Sequence, residues 1–100
     1  MIEGRLHVIS RKKLLEAAAK HTDLSVSLDA WYRIARSAAW LNLVDVRRNF
    51  PSADAVGKHT VFNIKGNSYR LITEIYYESQ VILIRAVLTH AEYDKEGWKQ

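Results

Sequence analysis

The spacing of hydrophobic residues changes once along this chain, near residue 58, and that change restricts the fold more than any other feature. Before it, apolar residues recur every three or four positions, as on one side of a helix. After it come three strand-like runs rich in Val, Ile, Tyr and Thr: KHTVFNI, SYRLITEIYY and QVILIRAVL. The short run LHVI at residues 6–9 is typical of an edge strand. These patterns predict an α+β domain, with helices packed on one face of a small antiparallel sheet.

Three helices are predicted in the first half of the chain. Their predicted N-caps are Ser10, Thr22 or Asp23, and Asn42. The first helix runs through Lys20 and the second covers about residues 24–39. The third must end at Phe50, because Pro51 disfavours helical geometry in the residue before it.

The chain has 100 residues, enough for one small domain, which we assign to residues 6–100. The segment MIEGR, residues 1–5, resembles a processing-protease recognition sequence and is predicted to be the remnant of an expression tag. The sequence has no Cys and no apolar run long enough to span a bilayer, so we expect a cytoplasmic protein without a membrane partner. Its net charge of +4 favours a polyanion partner such as a nucleic acid or an acidic protein.

Strand register predicts two arginines on one face of the sheet. Gly66-Asn67 and Glu78-Ser79 are the candidate turns. The predicted pairs are Asn63–Arg70 and Val61–Ile72 across the first hairpin, and Ile72–Arg85 and Arg70–Val87 across the second. The core face then receives Phe62, Ile64, Tyr69, Leu71, Thr73, Ile75, Ile82, Ile84, Ala86 and Leu88. The opposite face receives His59, Val61, Asn63, Arg70, Ile72, Glu74, Leu83, Arg85 and Val87.

The two arginines allow two interpretations. Arg70 and Arg85 would be diagonal neighbours, and two cations in a dry site need negative charge between them. A structural ion pair with Glu74, on the same face, would supply it. A bound phosphate would also supply it, because two guanidinium groups can hold its oxygens.

The segment after the last strand, THAEYD, carries groups that can transfer protons. His90 and Tyr93 are three residues apart and share a side of any helical turn. The alternative is structural: Thr89 caps a short last helix, His90 is a solvated surface residue and Tyr93 packs on the sheet edge. At the start of the first hairpin strand, alternation predicts His59 on the arginine face and Lys58 on the core side, unless the strand begins later or bulges.

Several segments together resemble the HigB family of bacterial type II toxins: LHVISRKKLLEAAAKH, DAWYRIARSAAW, FPSADAVGKHTVFNI, GNSYRLI and IRAVLTHAEYDKEGWK. The resemblance extends over the chain after residue 5, and THAEYD with the preceding IRAV is its most specific part. It implies a RelE-like fold, a small antiparallel sheet flanked by helices. It also implies an mRNA interferase that typically cuts messenger RNA in the ribosomal A site.

The resemblance also implies roles for individual residues. RelE-like toxins have a basic residue ahead of the middle strands, an arginine on each of two adjacent strands and a C-terminal His or Tyr. The matching positions, which are the predicted catalytic residues, are Lys58, Arg70, Arg85, His90 and Tyr93. We expect the RNA 2′-hydroxyl to attack phosphorus, with both arginines stabilising the developing charge. Lys58, His90 and Tyr93 would divide the proton transfers, in an assignment that the sequence leaves open.

The implied partners are messenger RNA, the 30S ribosome with its rRNA, and a HigA-type helix-turn-helix antitoxin. The further predicted RNA-binding residues are His59, Asn63, Lys12 and Lys13. No cofactor and no metal are expected, because no set of carboxylates and histidines has metal-ligand spacing. Two alternatives stay open: a non-catalytic RNA- or protein-binding module, and a gyrase-inhibiting toxin of the same fold.

Overall fold

The computed structural model of the protein describes residues 6–95 and 97–99. Its elements are, in chain order, β1 (His7–Ile9), α1 (Lys12–Lys20), a 3₁₀ turn (Thr22–Leu24), α2 (Ser25–Ser37), α3 (Leu43–Asn49), β2 (Asp54–Val56), β3 (His59–Ile64), β4 (Tyr69–Tyr76), β5 (Val81–Thr89), α4 (His90–Asp94) and a second 3₁₀ turn (Gly97–Lys99). The predicted tag remnant, residues 1–5, lies outside the described residues. Within the described ranges, no helix has the length and apolar character needed to cross a membrane.

Five strands of the described chain form one sheet in the order β1-β5-β4-β3-β2. All neighbouring strands are antiparallel except at one edge, where β1 runs parallel to β5. The last four strands follow one another through short turns, which require antiparallel pairing, whereas β1 is separated from them by the helices. The predicted α+β class and the edge position of β1 are confirmed, and the sheet is mixed rather than wholly antiparallel.

The hydrophobic core lies between the helices and one face of the sheet. Phe62 on β3 is its centre: Trp31 from α2 and Phe50 after α3 meet its ring edge-on, with centroids 5.3 and 5.2 Å away. Trp40 lies against the same ring at 6.2 Å. The sheet also contributes Ile64, Leu71, Ile82 and Ile84 to this core. The other face of the sheet, whose buried apolar residues include Val61 and Ile72, carries the candidate site.

Of the predicted helix caps in the first half of the chain, only one is confirmed. The Asn42 side chain accepts a hydrogen bond from the Asp45 amide at 3.0 Å, and α3 ends before Phe50 as predicted. Ser10 is not the cap, because it has a positive φ of 68° and the N-cap position of α1 is Arg11, which makes no side-chain cap hydrogen bond. The second cap is also wrong: α2 continues from a 3₁₀ turn, and the Asp23 carboxylate binds Lys65 instead, at 2.7 Å.

A hairpin that the sequence did not predict connects β2 and β3. Val56 pairs with His59, so the chain reverses over Gly57 and Lys58. Gly57 has the positive φ (60°) that such a two-residue turn requires. Lys58 therefore lies exposed in a turn. Its predicted core-side position held only if the strand included it, and β3 begins later, at His59.

The two predicted sheet registers have different outcomes. Across β3 and β4, Asn63 pairs with Arg70 as predicted. Across β4 and β5, a bulge at Arg85 shifts the register by one residue, so Ile72 pairs with Ala86 rather than with Arg85. The shift also makes the predicted Arg70–Val87 pair wrong, because Arg70 pairs with Leu88.

The bulge exchanges the faces of the residues after Arg85. Val87 packs against the core, although the predicted register assigned it to the opposite face. Ala86 and Leu88, predicted in the core, pair with residues of the opposite face instead. Arg85 itself still points away from the core, with 49% of its side chain exposed.

Candidate active site

The first turn of α4 is fixed beside the β3–β4 turn. The Thr89 hydroxyl accepts from the Glu92 amide at 3.2 Å, and the Glu92 carboxylate accepts from the Thr89 amide at 2.8 Å, which makes a capping box. The His90 amide donates to the carbonyl of Ser68 in the β3–β4 turn at 3.0 Å. Thr89 is thus a helix cap, as the structural alternative expected, and its helix holds His90 over the start of β4.

Arg70, at the start of β4, is a cation surrounded by neutral acceptors and is only 9% exposed. Its Nη2 donates to the Asn67 side chain at 2.6 Å, and its Nη1 donates to the carbonyls of Asn67 and Tyr69 at 3.2 and 3.3 Å. Among residues 6–95 and 97–99, no carboxylate forms an ion pair with it. A buried cation without a carboxylate is suited to bind an added anion such as phosphate.

Two groups of α4 contact Arg70. The Nδ1 atom of His90 lies 3.2 Å from Arg70 Nη2, and the guanidinium carbon lies 5.3 Å from the centre of the Tyr93 ring, a cation–π distance. The other ring nitrogen of His90, Nε2, lies 3.3 Å from the Asp94 carboxylate. The structure therefore brings together three of the predicted catalytic residues, one on β4 and two on α4.

Trp98 connects this group to the start of β3. Its ring stacks on Tyr93, with centroids 4.8 Å apart and planes 17° apart, and its Nε1 donates to the Tyr93 carbonyl at 2.8 Å. On another side it meets the His59 ring edge-on at 5.5 Å. His59 is 4% exposed and lies on the arginine face, where alternation predicted it.

Glu74 is the second centre of charge on this face and is 8% exposed. The Tyr76 hydroxyl donates to Oε1 at 2.5 Å, while Arg85 Nε and His59 Nε2 lie 3.4 and 3.9 Å from Oε2. The Tyr76 hydrogen bond is the largest reason why the pKa of Glu74 lies below its usual value. Nearby charge on Lys58, Arg85 and His59 lowers the pKa further, and burial opposes this shift. The same hydrogen bond raises the pKa of Tyr76.

Arg70 and Arg85 share a face of the sheet but have different neighbours. Arg70 is held by Asn67 and the α4 residues, whereas Arg85 is paired with Glu74. The ion-pair interpretation therefore describes Arg85 in this state. Because about half of its side chain is exposed, an anion can reach the Arg85 guanidinium from solvent without displacing core residues.

The remaining predicted residues lie around or away from this face. Lys58 and His59 line an open concavity of about 470 Å³ at the β2–β3 turn. Asn63 is exposed and pairs with Arg70 in the sheet register. Lys12 and Lys13 lie on α1, in the helical layer, where Lys12 is 3.9 Å from Glu16. The structure does not bring these two lysines to the arginine face.

Sequence reasoning missed four side chains that contact the predicted residues: Asn67, Tyr76, Asp94 and Trp98. Two of them had a signal in their spacing. Tyr76 is two residues after Glu74 on a strand, and Asp94 is four residues after His90 on a helix. Asn67 was assigned only a turn role, and Trp98 is five residues from Tyr93, a spacing that does not place two side chains on one side of a helix.

A groove of about 480 Å³ between α1 and α2 is separate from this site. Its lining is mostly apolar and includes Leu15 and Val26, which are 59% and 82% exposed. It shares no residue with the groups around Arg70 and Glu74. The presence of a concave groove therefore does not by itself identify the candidate catalytic residues. In the described part of the chain, no group of three or more His, Asp or Glu side chains is arranged to hold a metal ion.

Comparison with known proteins identifies relatives along nearly the whole chain. Residues 24–96 match the HigB toxin family, described as the RelE-like toxic component of a toxin–antitoxin system. The mRNA interferase toxin HigB of Escherichia coli K12 is 35% identical over 92 residues, which cover 89% of this chain and 88% of that protein. The mRNA interferase HigB of Shigella flexneri matches to the same extent. The mRNA interferase HigB of Escherichia coli strain CFT073 is 28% identical over 93 residues, 90% of each chain.

Proposed function

The chain belongs to the HigB family of RelE-like toxins, and on that premise we propose that its arginine face is the site at which it cuts messenger RNA. The protein is the toxin of a toxin–antitoxin module and an endoribonuclease, with messenger RNA as substrate and an antitoxin as partner. The observation that supports the site best is the buried Arg70, which has neutral acceptors and two α4 side chains around it. This group combines a cation that can bind the phosphate with an imidazole and a phenol that can transfer protons, which are the functions that cleavage of a phosphodiester requires.

The arginines stabilise charge on the reacting phosphate. When the 2′-hydroxyl attacks phosphorus, negative charge grows on the non-bridging oxygens, and cations already in position lower the energy of that state. Arg70, which is buried on the arginine face, binds these oxygens because its neutral partners leave its charge uncompensated. Arg85 either leaves Glu74 to bind the phosphate or binds both groups at once.

The reaction needs no added nucleophile. A base removes the 2′-hydroxyl proton, the O2′–P bond forms and the P–O5′ bond breaks, which gives a 2′,3′-cyclic phosphate and a 5′-hydroxyl. An acid protonates the leaving O5′. His90, Tyr93 and Lys58 are the groups that transfer these protons. His90 and Tyr93 contact Arg70, and Lys58 lies exposed in the β2–β3 turn.

The wider interactions follow from the substrate. We propose that the toxin acts in the cytoplasm on messages in the ribosomal A site of the 30S ribosome, and that a HigA-type helix-turn-helix antitoxin neutralises it. His59 and Asn63 contact the RNA near the cut. Lys12 and Lys13, on the helical layer, contact rRNA phosphates through interactions that depend on salt rather than sequence.

Primer-extension mapping of cellular messages after induction tests this function. We expect discrete cuts within translated frames, together with 5′-hydroxyl ends. DNA damage without RNA cuts would instead identify a gyrase-inhibiting toxin. Translation arrest with intact messages would identify a non-catalytic binding module. His90→Gln, which replaces a half-exposed side chain, separates catalysis from folding because it should keep the fold and lose the cuts.

A further inference from the structure

We propose that Asp94 is a positioning residue for His90, and that RNA releases His90 to act as the base by drawing Arg70 away from it. This inference rests on the proposed function and assigns one of its open proton-transfer roles. The observation behind it is the position of the His90 ring, whose Nδ1 lies 3.2 Å from Arg70 and whose Nε2 lies 3.3 Å from Asp94.

These two contacts select one tautomer of His90. A guanidinium group has five N–H donors and no acceptor, so a hydrogen bond between it and Nδ1 uses the lone pair of Nδ1. The proton of the neutral ring is then on Nε2, where the Asp94 carboxylate can accept it. Both neighbours favour the same form. The opposite tautomer would turn an N–H toward Arg70 and a lone pair toward Asp94.

In this arrangement the basic atom of His90 is masked. The lone pair of Nδ1 faces a buried cation, with Arg70 Nη2 only 3.2 Å away. Within residues 6–95 and 97–99, the charged groups in contact with the ring are Arg70 from β4 and Asp94 from α4. The hydroxyl-bearing Tyr93, on the same helix as Asp94, lies against Arg70. The lone pair of Nδ1 is therefore occupied by Arg70 for as long as this contact lasts.

A bound phosphate would change the hydrogen bonds that Arg70 makes. Hydrogen bonds from a guanidinium to an ionised phosphate oxygen are roughly twice as strong as those to a neutral acceptor. Nη1 of Arg70 is held by the carbonyls of Asn67 and Tyr69, and one N–H of Nη2 is held by the Asn67 side chain. The other N–H of Nη2, which faces His90, can therefore be redirected to an anion while the group stays anchored. The anion would then sit beside the freed Nδ1, next to the 2′-hydroxyl of the same linkage.

The proton balance is complete without any other reagent. The 2′-hydroxyl proton passes to Nδ1 as O2′ attacks phosphorus. The resulting imidazolium keeps its proton on Nε2, from which it donates a hydrogen bond to Asp94. The carboxylate stabilises that positive charge, as the third member of a nucleophile–His–Asp triad does. The P–O5′ bond breaks, and O5′ takes its proton from Lys58 or Tyr93, the two donors left for that role.

Asp94→Asn provides the test, because an amide can either accept from Nε2 or donate to it. We expect nitrogen NMR of histidine-labelled protein, with the His90 signals assigned from His90→Gln, to show the Nε2-protonated form in the wild type. In Asp94→Asn, where Arg70 alone still favours that form and the new amide can donate to Nε2, a fraction of the Nδ1-protonated form should appear. The single-turnover cleavage rate should fall by about 10- to 100-fold, near the lower end of general-base effects because Asp94 is 61% exposed, with message affinity unchanged.

Two further variants complete the design. Asp94→Glu keeps a carboxylate and should retain most of the rate. Asp29→Asn is the matched control, since it removes an exposed carboxylate from an i,i+4 pair on α2, and it should change neither the tautomer nor the rate. Addition of a 2′-O-methyl oligoribonucleotide, which cannot be cut, should shift the Nδ1 signal of the wild type and leave it unchanged in Arg70→Lys.

The results separate this inference from the proposed function. An Nδ1-protonated His90 in the wild type would overturn the inference, as would an Asp94→Asn protein with wild-type tautomer and rate. A lower rate with an unchanged tautomer would also overturn it, because Asp94 would then act only on structure. If His90→Gln cuts at the wild-type rate, the proposed function of the site fails as well.

Discussion

Replacement of Arg85 by Ala tests whether this arginine serves the RNA or only Glu74. The Arg85–Glu74 pair is separated by 3.4 Å and the Arg85 side chain is 49% exposed, so solvent screens the interaction. Exposed pairs contribute less than about 1 kcal/mol to stability, and the loss here should be somewhat larger, about 1–2 kcal/mol, because Glu74 is buried. Glu74 keeps its 2.5 Å hydrogen bond from Tyr76 in the variant, so the protein should still fold.

The catalytic effect of the same substitution should be much larger. Loss of one preorganised charge-stabilising group typically costs about 10²–10³ in rate. Single-turnover cleavage of a ribosome-bound message measures this loss, and urea unfolding measures the stability. Arg33→Ala is the matched control, because Arg33 is 77% exposed on α2 and pairs with Asp29 at 2.8 Å. If Arg85→Ala cuts as fast as Arg33→Ala, Arg85 is only a structural partner of Glu74 and the reasoning is refuted.

Three further predictions concern the lack of a metal requirement, the buried Glu74 and helix α4. Cleavage should persist in excess chelator, and a loss of activity restored by a divalent ion would contradict the proposed chemistry. The folded-state pKa of Glu74 lies below its ordinary 4.5, so its stabilising contribution is complete above that pH and is lost as the pH falls through the lowered pKa. In urea unfolding between about pH 3 and 7, the free energy of unfolding should therefore fall less steeply with decreasing pH in Glu74→Gln than in the wild type. An equal dependence on pH in the two proteins would contradict this. Thr89→Ala should weaken the α4 cap by about 1 kcal/mol and slow cleavage, because α4 carries His90. Faster amide exchange in α4 with unchanged cleavage would argue against this role of the helix.

The parts of the fold that depend on local turn chemistry could be predicted from the sequence. Gly66 supplies a positive φ of 65° at the β3–β4 turn, and the resulting pairing of Asn63 with Arg70 was predicted correctly. Asn42 was likewise identified as a cap from its residue type and position. In both cases a single side chain, or the lack of one, determines the backbone nearby.

The bulge at Arg85 could not be predicted from the sequence because it leaves no signal there. Residues 86–88 are all apolar, so a shift of one position changes their faces without breaking any alternation of polar and apolar residues. Arg85 points away from the core in both registers. The predicted face of this arginine was therefore correct, although its predicted partner in the sheet was wrong.

The site was partly predictable for a related reason. Arg70 and the α4 residues meet because α4 begins directly after β5, which is paired with β4, and this order is visible in the sequence. The contact between Trp98 and Tyr93 joins α4 to the 3₁₀ turn after it at a spacing of five residues, and the pairing of Asp23 with Lys65 joins positions 42 apart in the chain. Such contacts arise from tertiary packing and have no local pattern.

The most direct test of the central claim is the single-turnover cleavage of a ribosome-bound message by Arg70→Ala and Arg70→Lys, with the fold of each verified by thermal unfolding. If Arg70 binds the scissile phosphate, Arg70→Ala should cut at least about 10²-fold more slowly than the wild type, and Arg70→Lys should recover part of the rate. The remaining product should still carry a 2′,3′-cyclic phosphate. A folded Arg70→Ala protein that cuts at the wild-type rate would contradict the account.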